Sequence, residues 1–239
     1  MLTEEAHHMF VGETGVSRII QRTCEVMKEH KLDDPSDVRA LGVIDLQTIQ
    51  KYLNFHYSVT LDLYGSDVSS NAANYFTSGL KGRFRETKLD DDHVLSEAEY
   101  PVFEVVNGKI LAKSVPALTA LNERLRDDYI EEIADGVARW QRVIDNADIS
   151  FRLTLPHKGF HREIGNFAGH FVSPDGEVLS EEAWKNHEFA WLPSPKDYDY
   201  VLSLMSGRVV EPGKFANWIA PPARGINNQP LNFAYVRFN

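Results

Sequence analysis

Residues 3–30 read TEEAHHMFVGETGVSRIIQRTCEVMKEH, and apolar side chains recur through this stretch at the spacing of a helix. Side chains three and four positions apart share one face of an α-helix, so this spacing predicts one long helix. The helix should end before LDDPSD (residues 32–37), where proline and aspartates replace the pattern. A chain that begins with such a helix indicates a fold that is mainly α. The recurring apolar positions are Met9, Val16, Ile19, Ile20, Val26 and Met27.

A second helix is predicted over residues 44–64, with Gly65 in the position that often ends a helix. His56 shares one face of it with apolar neighbours, and we expect that face to point inward. A hydrogen-bonded core histidine is then a better interpretation of His56 than a metal ligand. A third helix is predicted over residues 66–82. The face assigned to the second helix comprises Ile49, Leu53, His56, Thr60 and Leu63.

The pattern changes at VFEVVNGKILAKS (residues 102–114), where two β-prone runs flank Asn107-Gly108. Asn-Gly between such runs predicts a β-hairpin with a tight turn. A fourth helix should start at Pro116 and continue to about residue 145. After Ser150 the chain becomes irregular and rich in proline, which is typical of a segment that wraps over a core formed elsewhere. The apolar seam of the fourth helix comprises Leu118, Leu121, Leu125, Ile133, Val137, Trp140 and Ile144.

Composition excludes several classes of protein. The formal net charge is −10 over 239 residues, which argues against binding nucleic acid through a basic surface. No apolar run has the roughly 18 residues of a membrane span, and no signal-peptide pattern opens the chain. The single cysteine, Cys24, cannot form an internal disulfide and is expected to be a small core residue. We therefore expect a cytoplasmic protein that contacts neither nucleic acid nor membrane.

The first helix carries a candidate metal motif. Positions i and i+3 lie on the same face of a helix, and both Glu5–His8 and Glu4–His7 have this spacing. Carboxylate together with imidazole is a ligand set of non-haem iron, and Glu-x-x-His pairs on bundle helices mark di-iron proteins. One such pair also occurs by chance at the start of a solvated helix. We favour Glu5 and His8, because their face continues through Gly12 and Gly15, where a neighbouring helix could approach closely.

Two other groups of residues could carry chemistry. His157 and His161 are four apart, but Pro156 and Gly159 argue against a regular helix, so a polar loop is preferred to a shared metal. The second group is a basic run that comprises Lys81, Arg83 and Arg85. This basic run could meet the phosphates of coenzyme A, although a solvated loop is the simpler interpretation.

Five long segments carry a family resemblance. They are LTEEAHHMFVGETGVSRIIQRT (2–23), IQKYLNFHYSVTLDLYGSDVSSNAANYFTSGLKGRF (49–84), LTALNERLRDDYIEE (118–132), LPHKGFHREIGNFAGHFVSPDG (155–176) and GINNQPLNFAYVRFN (225–239). Together they extend over the whole chain. The sequence resembles the oxygenase components of benzoyl-CoA 2,3-epoxidases, which are ferritin-like di-iron proteins of aerobic benzoate degradation.

The resemblance implies a fold and a metal site. This chain would be the C-terminal half of the family's longer chain, a partial ferritin-like helix bundle with one hairpin and an irregular C-terminal wrap. Residues 1–100 would be bundle helices, and residues 101–239 would pack on the bundle. Glu5 and His8 would be the second Glu-x-x-His pair of a centre of two non-haem irons. The other ligands would belong to a missing N-terminal half, so the fragment alone is expected to be inactive.

The resemblance also implies a reaction and partners. The complete protein would use O₂ to epoxidise the ring of benzoyl-CoA, with electrons from NADPH through a separate reductase that holds FAD and iron–sulfur clusters. A related aryl-CoA epoxidase, acting for example on phenylacetyl-CoA, is an alternative. A further alternative from another class is a non-catalytic module that binds a coenzyme A thioester or the reductase.

Overall fold

The computed structural model describes residues 2–33, 35–71, 74, 78, 98–205, 211–225 and 227–237. The predicted third helix, at residues 66–82, and the basic run lie largely or wholly outside the described residues. The structure clusters the chain into two compact units. Unit 1 comprises Met1–Tyr52, Asp135–Thr154 and Leu192–Asn239, and unit 2 comprises Leu53–Ala134 and Leu155–Trp191.

Helices dominate the part of the chain that the structure describes, which confirms the mainly α prediction. None of these helices is long and apolar enough to cross a membrane. The ferritin-like arrangement and the division at residue 100 stay predictions. The helices are α1 (Leu2–His30), α2 (Leu46–Asp62), α3 (Leu121–Asn146), α4 (Glu181–Trp191) and α5 (Pro195–Leu204), with 3₁₀ turns at Pro35–Leu41 and Ala117–Ala120.

Short strand pairs accompany the helices. Strands β1 (Glu99–Val106) and β2 (Lys109–Pro116) form the predicted antiparallel hairpin. Asn107 and Gly108 adopt φ of 51° and 73°, so both turn residues are left-handed, as a type I′ turn requires. The other pairs are antiparallel β3 (Phe171–Val172) with β4 (Val178–Leu179) and parallel β5 (Lys214–Ala216) with β6 (Ala234–Val236).

In unit 1, the C-terminal part of α1 is tied to the C-terminal tail. Arg18 Nε donates to the Ala220 carbonyl at 2.6 Å, and the Ala220 N–H donates to the Arg18 carbonyl at 3.0 Å. Arg22 donates to Asn217 and lies 3.9 Å from the centroid of the Tyr235 ring. These contacts fix the helix against irregular chain, whose backbone polar groups need such partners. The apolar core of this unit includes Ile20, Val26, Met27, Val38, Val43, Leu46 and Ile144.

A buried carboxylate organises the start of α5. Asp197 is 2% exposed and accepts hydrogen bonds from Ser194, Arg39 and Lys51. With Ser194 it forms a capping box, in which each side chain bonds the backbone N–H of the other residue. Burial alone would raise the pKa of Asp197, but the hydrogen bonds to its charged form outweigh burial and hold the pKa well below its ordinary value.

In unit 2, the buried face of α2 differs from the predicted one. Tyr57 and Leu61 are buried, whereas His56 is exposed and Leu63 is 81% exposed. The prediction of an inward-facing His56 was therefore wrong. The two alternative faces of this helix are both partly apolar, so periodicity alone did not decide which one is covered. The core of this unit also includes Leu53, Val102, Phe160, Phe167, Val172 and Trp184.

One glycine of unit 2 is fixed by a close approach to a carboxylate. Gly165 has φ of 86°, and a Cβ at this position would lie 2.2 Å from Asp67 Oδ2. Asp67 cannot withdraw freely, because its Oδ1 accepts from Arg126 at 2.7 Å and its Oδ2 accepts from the Asn166 N–H. The site therefore requires glycine for both its backbone angle and its space.

We predict that Gly165→Ala lowers the free energy of unfolding by roughly 2–4 kcal/mol, measured by urea denaturation. Left-handed backbone contributes about 1–2 kcal/mol of that loss, and displacement of the Asp67 carboxylate contributes the rest. Gly169→Ala is the matched control, because Gly169 has φ of 77° with no described heavy atom within 4 Å of its Cβ position. Equal losses in the two variants would contradict the proposed clash.

We predict that Asp197→Asn lowers the free energy of unfolding by roughly 2–4 kcal/mol at pH 7, because it leaves Arg39 and Lys51 without their shared anion. A depressed carboxylate pKa stabilises the fold above the unfolded value of 3.8 and loses that contribution as pH falls below it. The difference between wild type and variant should therefore shrink below about pH 4 in urea titrations. Exposed Asp199→Asn, on the same helix, should show little effect; a pH-independent difference for Asp197 would contradict the assignment.

Candidate functional site

The predicted metal pair lies on the first turns of α1. Glu5 Oε2 and His8 Nδ1 are 4.0 Å apart, and the two side chains are 68% and 63% exposed. The structure thus brings the two predicted ligands together on one helix face. Glu4 and His7 also lie in the exposed part of this helix. The acidic residues of the first turn are favoured there, because the N-terminal end of a helix carries partial positive charge.

The contacts that anchor α1 in unit 1 begin at Glu13. Its carboxylate forms an ion pair with Arg139, at 2.8 Å from Nη2, and its carbonyl accepts from the Trp140 indole at 3.1 Å. The hydrogen bond from Arg139 lowers the pKa of Glu13. By contrast, residues 3–12 are all exposed. The metal pair therefore lies on the exposed end of a helix whose position is set from Glu13 onward.

The face that continues from Glu5 and His8 is also open. A Cβ placed on Gly12 or Gly15 would meet no heavy atom within 4 Å among the described residues. The predicted close approach of a neighbouring helix is thus not made by the part of the chain that the structure describes. Three apolar side chains on this segment are exposed as well, namely Met9, Phe10 and Val11, at 71%, 64% and 53%.

The donor set of the pair suits a hard-to-borderline metal such as iron. A carboxylate and an imidazole are typical ligands of non-haem iron, and either exposed side chain can rotate to converge on one ion. Among the described residues there is no group of three or more His, Cys, Asp or Glu that could hold a metal. The described residues therefore offer Glu5 and His8 as a pair, to which further ligands would have to be added.

His157 and His161 occupy a turn rather than a helix, as predicted. His157 Nδ1 accepts the Gly159 N–H at 3.0 Å. His161 lies 3.2 Å from Ser58 Oγ through its own Nδ1, and its ring stacks on Trp184 at an interplanar angle of 5°. Burial lowers the pKa of both imidazoles, which favours their neutral forms. Each ring is thus engaged by a different set of neighbours within unit 2.

A buried charge network at the start of α3 was missed by the sequence analysis. Arg126 is 0% exposed and pairs with Glu123 and Asp67, while it also donates to the carbonyls of Leu61 and Gly65. Lys158 completes the network, with Nζ 2.6 Å from Glu123. Burial raises the pKa of Glu123 although both cations oppose that shift. The Glu123-x-x-Arg126 spacing within an apolar seam is the signal that could have revealed it.

These network groups are held by one another, which suits a structural role. Both carboxylates of the Arg126 pairings are occupied by cations, and buried charges of this kind are stable only when fully paired. Cys24 is buried, and burial raises the pKa of its thiol to about 11, so the thiolate is scarce at neutral pH. The structure therefore places Cys24 in the core, as expected.

A cleft of about 380 Å³ lies in unit 1. Its charged lining consists of Arg39 and Arg237, and Arg39 is already paired with Asp45 and Asp197. Neither predicted metal ligand lines the cleft. The cleft is thus separate from the Glu5–His8 pair.

Known proteins include a relative that matches this chain along its whole length. No protein-family model matches the chain. The chain is 65% identical, over all 239 of its residues, to the benzoyl-CoA oxygenase component B of Aromatoleum evansii. It spans 50% of the length of that relative. The resemblance inferred from the sequence motifs is confirmed: along its whole length, this chain is similar to a benzoyl-CoA oxygenase component B.

Proposed function

We propose that this chain is the C-terminal part of an oxygenase component that epoxidises the ring of benzoyl-CoA. The observation that carries the proposal is the 65% identity over the full 239 residues to a protein named benzoyl-CoA oxygenase component B. Because the chain spans half of that relative, we assign it one part of the component and not the whole activity. The long helices α1, α2 and α3 are compatible with a ferritin-like bundle that another segment would complete.

Within that component, Glu5 and His8 would be ligands to one of two non-haem irons. The 4.0 Å separation of Glu5 Oε2 and His8 Nδ1, with both groups open to solvent, supports this assignment. When bound, the two irons would supply the redox chemistry that reduces O₂, one atom of which would enter the ring. Two ligands alone would hold iron weakly, because nothing around them fixes their orientation.

The residues of the chain would position this pair. Glu13 fixes α1 through Arg139 and Trp140, and the helix carries the ligands forward from that anchor. Glu5 would contribute a negative carboxylate, and His8 would contribute a neutral imidazole with its other ring nitrogen free for an orienting hydrogen bond. A second polypeptide segment would supply the remaining ligands and exclude water from the centre.

The proposed reaction balances with a separate electron donor. Benzoyl-CoA, O₂, NADPH and one proton would give the 2,3-epoxide, NADP⁺ and water. The electrons would pass from NADPH through FAD and iron–sulfur clusters on a reductase. Phenylacetyl-CoA serves as the control substrate, because it carries the same coenzyme A group with a different arrangement of the ring and carbonyl.

We predict that His8→Ala removes nearly all turnover in a reconstituted complex. The chain would be co-expressed with the part of the Aromatoleum evansii relative that it does not match, and iron would be measured by mass spectrometry. The unmodified complex should hold two irons and consume O₂ when reductase, NADPH and benzoyl-CoA are present. His8→Ala should lower turnover more than ~100-fold, since loss of a ligand should exceed the ~10–100-fold cost of losing a group that orients one.

His7→Ala is the matched control, because its ring lies on the flanking face of the same exposed helix segment. It should retain most of the iron and activity. Equal damage from His7→Ala and His8→Ala would mean that the pair was assigned wrongly, and full activity in both would remove the motif from the mechanism. A complex that binds benzoyl-CoA but holds no iron would support a non-catalytic binding module instead.

A further inference from the structure

An apolar stripe runs along the outer face of α2 and onto the turn that follows the helix, within unit 2. Phe55, Val59 and Leu63 follow one another at intervals of four residues, and they are 36%, 44% and 81% exposed. Side chains with this spacing form one row on a helix, two turns long. Tyr57 and Leu61, on the opposite side of the same segment, are buried. The helix thus presents apolar residues both to the core of unit 2 and to solvent.

Ring contacts and hydrogen bonds fix the surface around the stripe at both of its ends. The Phe55 ring contacts the rings of His56 and His161, with centroids 5.3 and 6.3 Å away. At the other end, Asp62 accepts from Arg162 Nε and from the backbone N–H of Glu163 and Ile164. Ile164 is itself 44% exposed. The surface around the stripe is therefore preorganised, which lowers the entropic cost of binding a partner.

Acidic side chains flank the stripe. Glu163 is exposed and Glu188 is half-buried, and both act electrostatically on His161 beside Phe55. Neither forms an ion pair with another described residue of unit 2. A partner seated on the stripe would therefore meet an apolar row with negative charge beside it, and basic residues next to its own apolar row would be complementary.

We propose that this stripe docks an amphipathic helix from the part of the oxygenase component that the chain does not span; the proposal rests on the function proposed above. A row of apolar residues at helical spacing fits the apolar face of another helix, whose neighbouring turns should carry Lys or Arg. The chain covers 50% of its relative's length, so the component contains enough further sequence to supply such a helix. A second copy of this chain fits less well, because it would bring the same acidic flanks together in a chain of net charge −10.

The first test is co-purification. The full 239-residue chain carries an affinity tag and is co-expressed with the unmatched part of the Aromatoleum evansii relative. Val59→Asp combined with Leu63→Asp should lower the co-purified amount at least tenfold. The control combines Val106→Asp with Leu111→Asp, which changes two exposed apolar residues of the hairpin in the same unit, at 37% and 48%. The control should stay within twofold of wild type; circular dichroism and melting would establish that each variant folds.

The second test measures whether the stripe is covered. Leu63→Cys places a thiol on the stripe, while the native Cys24, 2% exposed, serves as a slow internal reference for maleimide labelling. In the free chain Cys at position 63 should label rapidly, and in the complex its labelling should slow at least tenfold. Leu111→Cys should label at similar rates in both. Protection at position 63 in the free chain would overturn the proposal, because the chain's own residues would then cover the stripe.

The third test concerns charge and self-association. Glu163→Lys with Glu188→Lys should weaken co-purification several-fold at low salt and much less at high salt. Light scattering of the free chain checks for a second copy: a dimer that Val59→Asp and Leu63→Asp dissociate would overturn the proposal. None of these readouts needs iron or turnover. A complex that forms through the stripe but holds no iron would refute the proposed function and leave the docking proposal standing. A complex that holds its full iron content despite the stripe substitutions would refute the docking proposal alone.

Discussion

The ion pair and hydrogen bond that hold Glu13 divide α1 into a packed C-terminal part and an exposed N-terminal part. C-terminal to this anchor, Arg18 and Arg22 tie the helix to the C-terminal tail. Ile20, Val26 and Met27 are buried in this part of the helix. N-terminal to Glu13, every residue from 3 to 12 is exposed, including Glu5 and His8. The N-terminal part of the helix extends rigidly from the anchored part, because backbone hydrogen bonds join each turn of a helix to the next. The position of the candidate metal pair therefore depends on Arg139 and Trp140, which touch neither ligand.

Each unit has a helix surface that is exposed but apolar, as residues of a protein interior usually are. In unit 1 the exposed end of α1 combines apolar side chains with two glycines whose Cβ positions meet no described heavy atom within 4 Å. In unit 2 the Phe55–Val59–Leu63 stripe lies over packed aromatic rings. Exposed apolar rows of this kind mark interaction surfaces more often than isolated apolar residues do. Both features agree with a chain that spans half of its relative.

Local signals gave reliable predictions where one interaction decides the structure. Asn107-Gly108 forms the turn expected of it, since few residues accept left-handed backbone at two successive positions. The ends of α1 were also predicted closely. Helix α5 was missed although Ser194 and Asp197 form a capping box around Pro195 at its first turn, a signature that can be read from sequence. The inward face of α2 was assigned wrongly, because two of its faces are apolar.

By itself, the sequence determined the mainly helical class, the hairpin, the family resemblance and the i, i+3 spacing that brings Glu5 and His8 to one face. These properties depend on neighbours a few residues apart or on long sequence matches. Only the tertiary structure decided that Arg126 and Glu123 are buried together, that His56 faces outward and that the candidate metal pair is exposed. Such properties depend on which distant segments cover a given side chain. Burial is set by the segment that packs against a side chain. The helical spacing of apolar residues identifies a face of the helix, but it does not identify the segment that covers that face.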